Sequence, residues 1–346
     1  MSEPGRTYAG AGVDIEARGR AVARIRELAR ETQGPQVLAG VGPFSALYRL
    51  EGYRQPVLVS STDGVGTKLV LAQILDRYEA LGEDLVHLCV NDILTAGAQP
   101  LFFLDYIANN GLTEEQKVRL VSGMARACRA VGCALVGGET ADMPDVYRPG
   151  DFDLAGFVVG VVERDEIPDP AAVREGDVLL GVPSAGIHTN GYALIRDIFR
   201  LGKGLPREEE REILARPYAA LGGTLGEALL APHRSYYREV QAVRGLVKGI
   251  AHITGGGLPE NVPRVLPEDL AAEIETARWT PHPIFALIQE AGGVSQREMY
   301  RTFNMGVGLV LVAAPERAAA VQAAVPEARV IGRVVRRRGP EGALLL

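Results

Sequence analysis

An α/β (α+β) fold in two domains is what this sequence predicts, and three observations carry that reading. Apolar β-branched runs that end in glycine-rich loops recur along the chain, and several lead into segments with helical spacing. At 346 residues the chain exceeds one ordinary domain, and 47% apolar residues can fill two cores. A proline-and-acid stretch, Ile167-Pro168-Asp169-Pro170, punctuates the middle. The expected domains are therefore 1–168 and 169–346.

Taken in order, residues 7–14 are too rich in glycine for regular structure, and composition favours a frayed tail. Residues 15–30 have helical spacing, with a weak point at Arg18-Gly19. The stretch 57–68 then organises the rest. It opens as a buried strand, breaks into Asp63-Gly64-Val65-Gly66-Thr67-Lys68, and resumes as a helix over 69–81 closed by Gly82. A strand end before a helix N-terminus suits a phosphate, because free N–H groups and partial positive charge gather there. Glycine admits close approach of a ligand, Lys68 can neutralise phosphate charge, and Asp63 can hold a cation. The spacing matches neither the P-loop nor the dinucleotide-binding pattern. A tight turn with a surface salt bridge explains the same residues equally well.

A second helix is expected over 83–96. Its Leu85, Cys89, Asp92 and Ala96 fall on one face, so Asp92 points with the apolar stripe. A carboxylate there needs a partner or a metal, and a ligand role outweighs a structural cap. Residues 101–108 read as a strand, and Thr113-Glu114-Glu115-Gln116 as a capping box opening a helix that ends at Gly132. Residues 133–136 form a third strand that runs into a flexible turn, Gly137-Gly138-Glu139-Thr140, delivering another acid. Residues 152–162 form a fourth, whose Gly156 and Gly160 permit bending or close packing.

Beyond the linker, a strand over 177–183 leads to the loop 184–191, with Ser184, His188 and Asn190 between glycines, and Tyr192 starts a helix. A lone loop histidine is usually just solvated. Residues 206–216, of mixed charge, read as a solvent-facing helix. His252-Ile253-Thr254-Gly255-Gly256-Gly257 is a second glycine-rich loop and another anion cradle candidate. The tail reads strand, helix, strand over 303–312, 315–325 and 328–335.

Composition excludes several function classes. The net charge is −6 with no basic stripe, which argues against a nucleic-acid partner. No apolar run is long enough for a membrane span, and the start lacks an apolar signal segment, so a cytoplasmic protein is expected. Cys89, Cys128 and Cys133 lack a paired spacing and read as reduced core residues. Only Lys68, Lys117, Lys203 and Lys248 are lysine. A lysine in the glycine loop of so arginine-biased a chain is suggestive, because the two are not interchangeable at a phosphate.

Seven motifs now stand together in order: residues 8–15, DGVGTK at 63–68, Val90-Asn91-Asp92-Ile93, GGET at 137–140, SAGIHTNGY at 184–192, HITGGG at 252–257 and MYRTFNMG at 299–306. Any one would be weak. As a set they closely resemble the aminoimidazole ribonucleotide synthetases, the phosphoribosylformylglycinamidine cyclo-ligases, from about Thr7 to Gly332. The sequence departs at Arg18-Gly19, at Asp145-Val146, and at Arg26, where the family often has a lysine linked to the nucleotide site.

The resemblance implies a four-stranded N-terminal sheet with helices, paired with its twin in a homodimer, and a C-terminal α/β sandwich. It implies ATP-dependent ring closure of formylglycinamidine ribonucleotide with Mg²⁺. Asp63, Asp92 and Glu139 then fit as metal ligands, since Mg²⁺ takes carboxylates together with phosphate oxygens. Gly64, Gly66, Thr67, Lys68 and Thr140 fit around ATP. His188 and Asn190 fit as groups that orient the amidine or shuttle a proton, and Ser184, Thr254, Gly255, Gly256 and Gly257 as substrate contacts. Related ATP-using enzymes share this architecture. A selenophosphate synthetase needs a reactive residue in the N-terminal tail, whereas the first cysteine is Cys89; the hydrogenase carbamoyl-dehydration protein needs a C-terminal cysteine, whereas the chain ends Leu344-Leu345-Leu346. Thiamine monophosphate kinases lack the His188 loop. A non-catalytic nucleotide-binding module is a different class again, and it needs neither His188 nor three acids.

Overall fold

The structure, a computed structural model, describes residues 15–346, so the tail expected over 7–14 lies outside the described residues. Helix α1 (Ile15–Arg30) runs unbroken past Gly19. The first half is built on β1 (Pro56–Gly64), β2 (Gln99–Asn109), β3 (Ala134–Asp142) and β4 (Phe152–Glu163), arranged β1-β4-β2-β3. Only β2 and β3 run parallel.

Three helices complete this half: α2 (Lys68–Leu75), α3 (Tyr78–Leu94) and α4 (Glu114–Ala130). The helix expected over 69–81 is broken earlier than Gly82, at Asp76, whose φ of 55° is left-handed. Gly82 lies inside α3, where a Cβ would stand 2.0 Å from the Leu120 carbonyl oxygen. Across the same crossing, a Cβ on Gly123 would stand 2.0 Å from the Glu79 carbonyl oxygen. Both glycines permit close helix packing, and neither stops a helix. The capping box forms as expected, Thr113 Oγ1 accepting from the Gln116 amide at 3.2 Å.

The sheet's inner face packs on α3: a Cβ on Gly156 would meet Phe103, Cys89 and Leu85, and one on Gly160 would meet Ile93. Close packing is therefore what those strand glycines serve. The outer face shares Leu58 and Phe157, which are 62% and 43% exposed. The strand expected over 133–136 continues to Asp142, so Gly137 to Thr140 belong to β3 and form no turn. Parallel pairing to β2 carries them, and Gly138 leaves room for Asp105, whose Oδ1 would lie 2.2 Å from a Cβ there.

The second half carries a mixed sheet of six strands: β5 (Val178–Pro183), β6 (Gly249–His252), β7 (Leu270–Ile274), β8 (Val307–Ala313), β9 (Arg329–Arg336) and β10 (Ala343–Leu345). Their order is β6-β8-β5-β9-β7-β10. Every residue of β8 is buried, as a strand covered on both faces should be. The strand read over 303–312 begins later, at Val307. Strands β7 and β10 and the helix Pro283–Gly292 were not read from the sequence; β7 and β10 have five and three residues, too few for a clear alternation. Helix α5 (Tyr192–Ile198) starts where expected. Helix α6 (Arg207–Ala215) turns one acid inward, Glu210, only 3% exposed and bonded to the Gly202 amide. No helix among the described residues is long and apolar enough to cross a membrane.

Candidate active site

Four segments converge between the two halves. The end of β1 supplies Asp63 and Gly64, and the turn after it Gly66 and Thr67. Helix α3 supplies Asp92, the loop 184–191 supplies Thr189 and Asn190, and the end of β6 supplies His252 with the loop 254–257 behind it.

Asp92 joins them. Its Oδ2 accepts from Ser61 Oγ at 2.9 Å, and its Oδ1 lies 2.9 Å from His252 Nδ1. Asp63 sits beside this pair and keeps solvent contact, its Oδ1 accepting from its neighbour's amide, Gly64, at 2.7 Å. Partial burial, then the negative charge of Asp92, holds the Asp63 carboxyl above the usual aspartate range, against the opposing pull of the Gly64 amide hydrogen bond. Two neighbouring carboxylates offer oxygen donors to a hard cation. The Gly66 backbone lies against the Thr189 carbonyl, a Cβ on Gly66 standing 3.8 Å from that oxygen. From Gly66 and Thr67 a cavity of about 700 Å³ opens toward Gln73, Arg148, Arg196 and Arg207.

The second glycine loop is held open by one side chain. Asn261 Nδ2 donates to the carbonyls of Gly255 at 3.1 Å and Gly257 at 2.9 Å, with Thr254 at 3.4 Å. Only glycine fits at 257, where φ is 58° and a Cβ would meet the Tyr300 carbonyl oxygen at 1.9 Å. Exposed Gly255 faces Asn190, whose Oδ1 would stand 3.2 Å from a Cβ there. Loops 184–191 and 254–257 therefore meet, as neither spacing nor periodicity could indicate.

Other candidate residues lie elsewhere than expected. Lys68 does not face the loop: its side chain is fully buried, Nζ 2.6 Å from Asp84 Oδ2 and donating to the Ala231 carbonyl at 2.9 Å. The helix turns it inward at its first residue, so it braces the phosphate-type turn from behind. Glu139 is not with Asp63 and Asp92. It lies on β3, at the opposite sheet edge from β1, three strand spacings or about 14 Å away. With Thr140 it lines a separate cavity of about 250 Å³ under α1, alongside Arg26, Gly42, Asp105 and Gly138. Burial, then the Glu139 charge, pushes the Asp105 carboxyl up to about 7. Ser184 is 4% exposed and spends its hydroxyl inside its own loop, 2.9 Å from Gly186 O and 3.0 Å from Asn304 Oδ1.

His188 is not a solvated loop residue. It is 1% exposed at a left-handed φ of 67°, with Nε2 accepting from the Ala185 amide at 3.2 Å. Burial, then the neighbouring His252, Lys68 and Arg234, holds it well below the usual imidazole range. Its ring stacks on His233 at 4.1 Å. His233 itself carried no sequence signal beyond the rarity of histidine: the chain has five. All five serve this region, because His87 Nδ1 meets the His233 carbonyl at 2.6 Å and His282 Nε2 meets the Ser184 carbonyl at 2.8 Å.

Comparison with known proteins settles the family. Residues 45–162 match the N-terminal domain of AIR synthase related proteins, and residues 174–344 match the C-terminal domain. The phosphoribosylformylglycinamidine cyclo-ligase of Xanthomonas oryzae pv. oryzae is 48% identical over 97% of this chain and 98% of its own length. The chain belongs to the phosphoribosylformylglycinamidine cyclo-ligase family. The cyclo-ligase of Anaeromyxobacter sp. is 51% identical over 92% of each chain. Cyclo-ligases of this family are ATP-dependent ligases of purine biosynthesis, and the motif set read from the sequence belongs with them.

Two solved structures share the fold at low identity. Thiamine-monophosphate kinase from Stenotrophomonas maltophilia superposes with a TM-score of 0.67 at 17% identity, over 94% of this chain and 95% of that one. Hydrogenase maturation protein HypE in complex with ATP gives 0.67 at 19%, over 95% of this chain and 91% of that one. Against cyclo-ligases nearer half identical, these likenesses show the architecture alone.

Proposed function

We propose that this chain closes the imidazole ring of 5-aminoimidazole ribonucleotide from formylglycinamidine ribonucleotide, using ATP and Mg²⁺. The observation that carries the reading is the convergence of Asp63, Asp92 and His252 at the mouth of the Gly66–Thr67 turn. An amide oxygen is a poor leaving group. Transfer of the γ-phosphoryl to the formyl oxygen makes it a good one, the amidine nitrogen then attacks the activated carbon, and phosphate departs as the ring closes. Such a transfer asks the protein for positioning and charge neutralisation more than for a nucleophile.

The donor set fits a hard cation, with Asp63 and Asp92 as its ligands within one protomer. Bound there, Mg²⁺ supplies neutralisation of phosphate charge. Gly64, Gly66 and Thr67 provide backbone donors at the start of α2. His252, held by Asp92, orients groups at the reacting end, and Asn190 with Gly255 faces the ribonucleotide. The loop 254–257 is our candidate for the ribose phosphate. His188 acts from within the fold, as does Lys68.

We propose further that the enzyme is a homodimer paired through the outer face of the first sheet. Leu58 and Phe157 are exposed there and exposed Phe44 lines a cavity beside Phe157, a concentration of apolar surface that a second copy would cover. Pairing would also give Glu139 and Thr140, at the far sheet edge, a nucleotide role across the interface. The domain boundary near 168 and a cytoplasmic location, supported by three free buried cysteines, complete the reading.

Oxygen-18 in the formyl group tests the chemistry. One label should appear in inorganic phosphate for each ring formed. Unlabelled phosphate alongside the aminoimidazole product would mean cleavage of ATP by water, and phosphorylation of the formyl oxygen would have to be abandoned.

A further inference from the structure

Four hydrogen-bonding side chains form a continuous line across the junction of the two halves. Thr189 Oγ1 lies 3.3 Å from His233 Nδ1, His233 Nε2 lies 3.2 Å from His252 Nε2, and His252 Nδ1 lies 2.9 Å from Asp92 Oδ1. Thr189, His233 and His252 are buried, so water does not compete for the Thr189–His233 and His233–His252 bonds, while Asp92 at the end of the line keeps partial solvent contact. The backbone of His233 is clamped as well: its amide donates to Asp84 Oδ1 at 2.7 Å, and its carbonyl meets His87 Nδ1 at 2.6 Å. Asp84, His87 and Asn91 share one face of α3, and Asn91 grips the next residues through the Arg234 carbonyl and the Tyr236 amide.

The chemistry of the groups sets the direction of the line. An ionised carboxylate only accepts, so His252 must donate from Nδ1. A neutral His252 then presents a bare Nε2, which obliges His233 to donate from Nε2. His233 Nδ1 is left bare and accepts the Thr189 hydroxyl. Burial, then the nearby His188 and His252, keeps His233 well below the usual imidazole range, in keeping with the neutral ring this pattern needs.

We propose that His233 is a positioning residue: it fixes His252 in the Nδ1–H tautomer and thereby holds the Asp92 carboxylate in place for the reaction. The proposal rests on the reading above that Asp92 and His252 face the reacting groups. Each link is oriented by the next, as outer partners orient a functional imidazole. A metal shared by His188, His233 and His252 is the competing account of these nitrogens, which lie within 4.8 Å of one another. Ring geometry disfavours it. The His188 and His233 rings lie face to face, 23° from parallel, so their in-plane lone pairs run side by side and do not converge on one ion.

With five histidines, the ¹⁵N-histidine spectrum of the full-length enzyme is tractable. Long-range ¹H–¹⁵N correlation should show His252 protonated on Nδ1 and His233 on Nε2, with scalar coupling across the N–H···N bond between them. Protonation of His252 on Nε2, or one tightly bound transition metal per chain by elemental analysis, overturns the proposal. Kinetics supply the second measurement. His233→Asn keeps an amide near Thr189 but cannot reach His252; kcat should fall about tenfold with the KM for ATP unchanged. His233→Gln places an N–H near the lost Nε2 and should restore kcat toward the parent value. Equal kcat in both variants, or no loss in either, also overturns it. A confirmed tautomer pattern with unlabelled phosphate in the oxygen-18 experiment would fail the ring-closure reading and leave the hydrogen-bond line standing.

Discussion

Lys68 and Asp84 form an ion pair with no solvent contact, Nζ 2.6 Å from Oδ2 and both side chains fully buried. Removing one partner of such a pair strands the other charge, whereas neutralising both is far milder. Lys68→Met should therefore lower unfolding free energy by about 3–5 kcal/mol in urea titration. Adding Asp84→Asn, which keeps Oδ1 for the His233 amide, should recover most of that loss. Unchanged stability with weakened ATP binding would return Lys68 to the phosphates.

Asp92→Asn tests the carboxylate itself. The amide oxygen can still accept from His252, and Ser61 can rotate its hydroxyl to suit the amide nitrogen. Charge is lost while both bonds survive. We expect kcat to fall by about 10²–10³, with a rise in the Mg²⁺ concentration needed for half-maximal rate. Unfolding free energy should stay within about 1 kcal/mol. A variant that unfolds readily yet turns over normally would make Asp92 a structural pin only.

Asp105 predicts a pH dependence of stability. An aspartate in the unfolded chain titrates near about 3.9, and burial raises this one to about 7, so the fold favours its protonated form. That contribution is fully present below about pH 4 and is lost as pH rises through about 7. Asp105→Asn, a permanently neutral mimic, should match the parent at pH 4. It should exceed the parent by up to about 4 kcal/mol at pH 8.5. Urea curves at the two pH values check this, and parallel behaviour of both proteins would show that Asp105 is ionised without cost.

The proposed sheet-to-sheet dimer makes Phe157 decisive, because it is 43% exposed at the centre of the outer face. Phe157→Asp should give monomers in sedimentation velocity at concentrations where the parent is dimeric, since a charge directly against its symmetry mate is repulsive. A parent that sediments as a fully active monomer sinks the dimer.

Much of the first half was legible because its strands open as apolar β-branched runs, and because Thr113 and Gln116 form a self-contained cap. Misreadings came where glycine served tertiary contacts. Gly82 looks like a helix stop but exists for the crossing with α4, and Gly137 and Gly138 look like a turn but continue a parallel strand. At the site, DGVGTK and GGET looked alike from the sequence, each an acid in a glycine-rich strand end. Strand order alone separates them to opposite edges, and strand order is not written in local pattern. His233 was invisible for a related reason: its partners sit at positions 84, 87, 189 and 252, joined only once the halves dock.

The crossing of α3 and α4 at Gly82 and Gly123 has a bearing on genetics. Helix α3 carries Asp84, His87, Asn91 and Asp92 as one rigid rod, so its axial position sets all their contacts together. A methyl group added at Gly82 has no room against the Leu120 carbonyl and must shift the rod along or off its neighbour. Asp92 lies ten residues on, about 15 Å away, and moves with it. A screen for purine auxotrophs would thus return Gly82 and Gly123, two residues with no chemistry of their own, among the acids and histidines of the catalytic centre.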